Sequence, residues 1–144
     1  MAYCTLTDMQ GEYDRPEDPE LTQLVPDADS GLDTAAVTEA IEEAAGLMDE
    51  YIGARYTLPL AEVSAKRAAW LRRVNMEIAR FLLWRDRASE EVRKRYEDHR
   101  RYLRDLANGT VQWLDVASPS ASAVGSPLST APDPLFDRTT LADY

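Results

Sequence analysis

Cysteine and histidine are almost missing from this chain: Cys4 and His99 are the only residues of their kinds. One cysteine excludes an internal disulfide and a thiolate zinc cluster. With a single histidine as well, nucleophilic catalysis has little to work with. Cys4 sits beside the N-terminus, and His99 falls on the apolar side of a helical pattern, where it reads as a hydrogen-bonded core residue. The glycines at 11, 31, 46, 53, 109 and 125 are scattered, so no phosphate-cradling glycine loop is present. Paired Glu-x-x-His motifs, which a dimetal carboxylate bundle requires, are absent too. No apolar run approaches a membrane-spanning length. Met-Ala-Tyr-Cys-Thr-Leu lacks a basic region followed by an apolar core, so no secretory signal is visible and cytosolic synthesis is expected. The expectation is a protein that is not an enzyme, with no catalytic residues, no cofactor and no metal.

What the chain does have is enough apolar material for one core. It is 144 residues long, 44% hydrophobic and 29% charged, ordinary values for a globular protein. Its net charge of −10 is unevenly spread. Residues 1–60 carry 14 acidic and 2 basic side chains, residues 61–110 carry 8 and 13, and residues 111–144 carry 4 and 1. An acidic front and a basic middle can pair within one molecule or between neighbours. The negative sum argues against a protein that coats nucleic acid.

Hydrophobic spacing predicts helices. Residues 3–13 form a short one, with Thr5 as N-cap and Leu6, Met9 and Tyr13 at helical spacing. Residues 14–33 are acidic, carry three prolines and read as loop, with one helical turn at Pro19–Val25. Asp33 caps a first long helix, about Thr34 to Ile52, whose stripe is Val37, Ile41, Ala44, Met48 and Tyr51. Gly46 inside it suggests a close backbone approach. Gly53 is expected to end the helix with positive φ. Tyr51 to Leu60 then forms an elbow. Tyr56, Leu58 and Leu60 alternate there with Thr57 and Pro59, which predicts a short extended arm with one apolar side. Either the elbow is packing between two helices, or Arg55, Tyr56, Leu58, Pro59 and Leu60 touch a neighbouring subunit.

Ser64 caps a second long helix, about Ala65 to Arg87. Leu71, Val74, Ile78 and Phe81 form its stripe, widened by Trp70, Leu82 and Trp84, with Lys66, Arg67, Arg72, Arg73 and Arg80 largely outside. Ser89 starts a third, about Glu90 to Asn108, with Val92, Tyr96, His99, Leu103 and Leu106 on one face and Asn108-Gly109 as the stop. The fold class is all-α: a small bundle of three long helices plus a short N-terminal helix, with an extended C-terminal tail. Residues 1–116 make the helical domain, in which Val111–Val116 forms a short extended piece. Residues 117–132, rich in Ser, Pro and Ala, make a linker. Residues 133–144 recover aromatic and apolar side chains. Pro134, Leu135, Phe136, Arg138, Leu141 and Tyr144 there suit a tethered docking peptide or a tail folding back on its own domain.

Two constellations have a functional and a structural reading. The aspartates 27, 29 and 33 around Gly31 could turn oxygens toward calcium, but position twelve counted from Asp27 is Thr38 where a calcium loop needs Glu. Asp33 has the simpler task of capping a helix. The basic third helix, with Arg93, Lys94, Arg95, Arg100, Arg101 and Arg104, could contact phosphates in a DNA-packaging factor. Base-reading Asn or Gln side chains are missing from its basic face, and Glu91, Glu97, Asp98 and Asp105 interrupt it. A solvated face, or a seam with an acidic partner, fits better.

Several stretches together resemble a phage Mu-like family of virion proteins, the head–tail connector, adaptor or head-completion proteins. They are Tyr3-x-Thr-Leu-x-Asp8, the acidic loop, Tyr51-Ile-Gly-Ala-Arg-Tyr-Thr-Leu-Pro-Leu60, Arg85-Asp-Arg-Ala-Ser-Glu-Glu-Val-Arg-Lys-Arg-Tyr-Glu-Asp98 and the final Phe136-Asp-Arg-Thr-Thr-Leu-Ala-Asp-Tyr144. The resemblance covers nearly the whole chain; the elbow and residues 85–98 are its most specific parts, and the acidic loop departs by being short and poor in Gly. It implies a helical homo-oligomer closed into a ring of about twelve copies. The ring would sit beneath the portal protein in the virion neck, after assembly in the host cytoplasm. It would join a tail-terminator or stopper protein and let DNA pass without specific binding. In such a ring the tail residues named above would dock the portal, and no catalytic residue comes with the resemblance and no membrane contact is expected.

Overall fold

A computed structural model describes residues 2–116 of the chain. The linker at 117–132 and the docking peptide with Pro134, Leu135, Phe136, Arg138, Leu141 and Tyr144 lie outside the described residues. Three capping side chains start the long helices. Asp33 Oδ1 accepts from the N–H groups of Ala35 and Ala36, both at 3.0 Å, and opens α3 (Thr34–Gly53). Ser64 Oγ accepts from Arg67 N and opens α4 (Ala65–Trp84). Ser89 Oγ accepts from Val92 N and opens α5 (Glu90–Asn108). Each replaces a backbone partner that the first helical turn lacks. Ahead of them, Thr5 and Asp8 exchange hydrogen bonds in a capping box that starts α1 (Leu6–Tyr13).

The fold is all-α. The stripes read from the sequence face one another: Val37, Ile41, Ala44 and Met48 from α3, Leu71, Val74 and Ile78 from α4, and Leu103 and Leu106 from α5 are buried in one core. At about 1.5–3 kcal/mol for each fully buried large aliphatic side chain, this shared interior is the main source of stability. Met9 from α1 and Leu21 from α2 (Glu20–Leu24) close it on one side. Asn75, wholly buried, ties three segments together. Its Oδ1 accepts from Cys4 Sγ at 2.8 Å and its Nδ2 donates to the Ile41 carbonyl at 3.4 Å. Burial, ahead of the nearby Asp8 charge, pushes the Cys4 thiol up to about 12. Cys4 is therefore a packed thiol and an unreactive one.

Several expectations need correction. Residues 14–33 contain the expected helical turn as α2, and a hairpin that was not expected. Asp14–Arg15 (β1) and Asp18–Pro19 (β2) pair antiparallel, and the Asp14 carboxylate then accepts from Thr22 N and Oγ1 at 3.1 and 3.0 Å. That side chain, bonding eight residues ahead, folds a segment with no hydrophobic period. Gly53 does not terminate α3 with positive φ. It is the last helical residue, and Ala54 follows at φ −63°. The free carbonyl of Ile52 accepts from Arg55 N and Tyr56 N at 3.0 and 2.9 Å, so no left-handed residue is needed. Gly46 meets no close backbone: it is exposed, and a Cβ there would have nothing within 4 Å. Helix α4 stops at Trp84 and gives way to a single 3₁₀ turn, Arg85–Arg87, entered through Arg85 at φ +50°. Val111–Val116 forms no strand but bends at Val111 and turns at Leu114–Asp115, anchored by the buried side chains of Trp113 and Val116. The Gly109 stop is as expected: at φ +80° it caps α5, its N–H and that of Thr110 reaching back to Leu106 and Asp105 carbonyls.

Candidate assembly surface

The elbow between α3 and α4 is built around Tyr56. Its hydroxyl accepts from Trp113 N at 2.7 Å, and its ring stacks on the Trp113 indole with centroids 5.1 Å apart and planes 23° apart. Trp70 meets Trp113 edge-on at 6.0 Å and Tyr102 at 4.8 Å. The Trp113 indole N–H donates to the Tyr102 hydroxyl. These aromatic pairs add to the burial of large rings. The Arg67 guanidinium lies 4.6 Å over the Trp113 ring and donates to Asp115 Oδ1 at 3.1 Å. Ser64 Oγ donates to Asp115 Oδ2 at 2.7 Å. These two bonds, Ser64 first, hold the Asp115 carboxyl below its usual range. The start of α4, the elbow and the chain beyond α5 are thus one welded end of the bundle.

Of the elbow residues singled out from the sequence, Tyr56 is buried, Leu58 and Leu60 pack partly on the core, and Thr57 and Pro59 are exposed. The expected alternation is present, although no regular strand forms. The Arg55 guanidinium lies against Gly109, which brings the elbow to the end of α5. Sequence spacing did not disclose Trp113 as the elbow's main partner. Its one signal was an isolated tryptophan placed after a helix stop. Its neighbour Leu114 is the one large hydrophobic side chain fully exposed among the described residues, at 95%.

At the other end, Glu20 organises a second cluster. Its Oε1 accepts from Arg80 Nε and Trp84 Nε1, both at 2.7 Å, and its Oε2 accepts from Arg80 Nη2 at 2.8 Å. Arg80 therefore lies inside the packed structure, contrary to its expected place outside the stripe. Its fork-shaped donor array matches a carboxylate, and its guanidinium also covers the Tyr13 ring at 4.7 Å. Glu77, buried, accepts from Arg95 Nη1 at 3.0 Å through Oε1. Burial, and then the Glu77 charge, push the Tyr13 hydroxyl up. His99 is lowered, chiefly by burial; Glu77 and Asp98 oppose the shift, and Arg73 and Arg95 add to it.

Beside this cluster runs a groove of about 540 Å³. Leu24, Val25, Ala36, Ala40, Leu82 and Leu83 form its floor. Glu39 and Glu43 stand on the α3 side, Arg85 and Arg87 on the other. The outer faces of the long helices differ in sign. Glu39, Glu42, Glu43 and Glu50 are exposed on α3 and Lys66, Arg72 and Arg73 on α4, whereas α5 exposes Arg93, Lys94, Arg95, Arg100, Arg101 and Arg104 interspersed with Glu90, Glu91, Glu97 and Asp98. Arg100 reaches the hydroxyls of Tyr51 and Tyr96, which raises its pKa.

Elsewhere, polar groups serve the chain itself. Asp27 Oδ1 accepts from Asp29 N and Gly31 N at 2.9 and 2.6 Å, closing the acidic loop into a turn, while Asp33 caps α3. Among the described residues, no three His, Cys, Asp or Glu side chains gather as a metal site would require. No described helix is long and apolar enough to cross a membrane.

The molecule is thus a helical bundle whose buried polar side chains hold its own segments together and whose outward charge is acidic on α3, basic on α4 and mixed on α5. Its relatives place it more narrowly. The chain belongs to the family described as Bacteriophage Mu, Gp36, whose model matches residues 3–135. It is 42% identical over 87 residues to the Mu-like prophage FluMu protein gp36 of Haemophilus influenzae, covering 60% of this chain and 58% of that protein. It is 29% identical over 140 residues to Gene product J of Escherichia phage Mu, covering 96% of each.

Proposed function

We propose that this protein is a structural, non-enzymatic head–tail connector. It forms a homo-oligomeric ring, of about twelve copies, beneath the portal in the virion neck. The ring joins the portal to a tail-terminator or stopper protein and lets DNA through its lumen. The observation that carries this reading is the sorting of outward charge between two helices: α3 exposes Glu39, Glu42, Glu43 and Glu50 with no basic residue, and α4 exposes Lys66, Arg72 and Arg73 with no acidic one. A ring closes only through a heterologous contact, one surface meeting a different one. Two faces of opposite sign supply such a pair. Membership of a phage Mu family and the resemblance to connector proteins support the same role. In this reading the tail residues Pro134, Leu135, Phe136, Arg138, Leu141 and Tyr144 grip the portal, and a ring multiplies that grip by avidity.

Electron microscopy of purified particles tests the proposal, with the protein labelled. Density for the label at the portal vertex is expected; particles whose necks lack it would end the idea. The basic face of α5 also favours a second reading, a DNA-packaging factor. Filter binding at several salt concentrations separates the two. Tight binding with a steep salt slope, lost when Arg100, Arg101 and Arg104 are replaced, would favour the packaging factor.

A further inference from the structure

The welded end and the grooved end lie at opposite ends of the bundle. Ile41 meets Asn75 at mid-helix, Ala36 and Ala40 line the groove with Leu82 and Leu83, and the elbow joins Gly53 to Ala65, so α3 and α4 run antiparallel. From Ser64 to Leu82 is 18 helical steps, or about 27 Å. Leu114 projects into solvent at the welded end, next to a shallow depression shared by Lys66 and Asp115. The groove at the far end is lined by apolar side chains together with Glu39, Glu43, Arg85 and Arg87. Lys66, Glu39, Glu43, Arg85 and Arg87 make no ion pair among the described residues.

We propose that Leu114 of one copy inserts into the Leu24–Val25–Leu82–Leu83 groove of the next copy, forming the contact that repeats through the assembly. The occupant is a second copy of this chain because Lys66 beside the knob, which makes no ion pair among the described residues, complements the carboxylates Glu39 and Glu43 of the groove. In the contact Lys66 meets Glu39 and Glu43, while Asp115 stays paired with Arg67 and Ser64 of its own chain. A leucine knob and a groove on different ends of one molecule make a head-to-tail contact, which can close only into a ring or continue as a filament. The contact rests on the connector reading above and supplies the surface which that reading leaves unassigned. Leu114 is a suitable anchor because its removal costs the monomer no buried contact.

Disulfide trapping in the full-length chain tests this. Leu114→Cys and Glu43→Cys chains, carrying different tags, are mixed and oxidised both in solution and in assembled particles, with the wild type, whose Cys4 is buried, as control. A disulfide between the two variants, with neither variant dimerising alone, is expected. In parallel, Leu114→Glu should weaken self-association roughly tenfold or more while leaving the thermal melt unchanged. Lys66→Glu should weaken it as well and be rescued by Glu39→Lys with Glu43→Lys. A Leu114→Cys homodimer would overturn the proposal by showing a two-fold contact. Normal assembly of Leu114→Glu into necks would overturn it and leave the connector role standing. A wild-type chain that neither self-associates nor reaches the neck would sink both. A cross-link that appears only after residues 117–144 are removed would assign the groove to the chain's own tail.

Discussion

Replacing Glu20 with Ala isolates the physics of the grooved end. The carboxylate accepts three hydrogen bonds, two from Arg80 and one from Trp84, and both ion-pair side chains are only 15% exposed. Removing one partner of a buried pair costs about 3–5 kcal/mol, because the other charge stays behind without compensation. Residual water access and the more distant Glu77 carboxylate, 3.9 Å from Arg80 Nη1, reduce this to about 2–3 kcal/mol. For a domain of this size that lowers the melting temperature by roughly 8–12 °C. The loss should be local first. Glu20 starts α2, so hydrogen exchange should rise in residues 14–25 before α3 or α5 responds. Urea titration followed by circular dichroism measures the total. A double change, Glu20→Leu with Arg80→Met, should recover most of the stability, since an apolar pair of similar volume removes both desolvated charges. A Glu20→Ala protein within about 0.5 kcal/mol of wild type, or a double variant no better than the single one, would refute the reasoning.

Other expectations concern separate parts of the molecule. Two glycines in helical context should respond oppositely to alanine. Gly46→Ala should stabilise by about 0.5–1 kcal/mol, because its Cβ meets open space. Gly109→Ala should destabilise by about 1–2 kcal/mol, because φ is +80° and the new Cβ would strike Arg55; chemical denaturation of each variant decides both. His99 has its pKa lowered by burial first, so the unfolded chain binds a proton that the folded one resists. Stability should therefore fall as pH drops below about 6.5 and level off beneath the folded pKa. His99→Gln should flatten that slope, and an unchanged slope would assign it to the carboxylates instead. Removing residues 117–144 should leave helicity nearly unchanged but weaken attachment to the portal, with Phe136→Asp or Leu141→Asp mimicking the truncation. A truncated chain that unfolds would place the terminus in the core.

Local chemistry and one-dimensional periodicity determined much of this protein. Thr5, Asp33, Ser64 and Ser89 cap the helices predicted for them, and Gly109 ends the last one. The apolar spacings that define α3, α4 and α5 select the side chains found inside. These features were legible because a cap or a 3.6-residue repeat depends only on near neighbours in the chain. The family, too, was recognisable in the order of residues along the elbow and residues 85–98.

Tertiary structure alone decided which polar groups are buried and what they meet. Arg80 looks like any surface arginine until α2 brings Glu20 to it across 60 residues. Tyr56 and Trp113 are 57 residues apart in the chain and in contact in the fold. Asp14, with no hydrophobic period around it, organises a hairpin and a helix by bonding to Thr22. Gly46 and Gly53 were misjudged because a glycine's role depends on what approaches it, and composition carries no record of that. The candidate contact, Leu114 at one end and an apolar groove at the other, exists only once antiparallel helices set those ends apart. Periodicity reports which side chains turn inward; only the packed chain shows which outward ones remain unmatched.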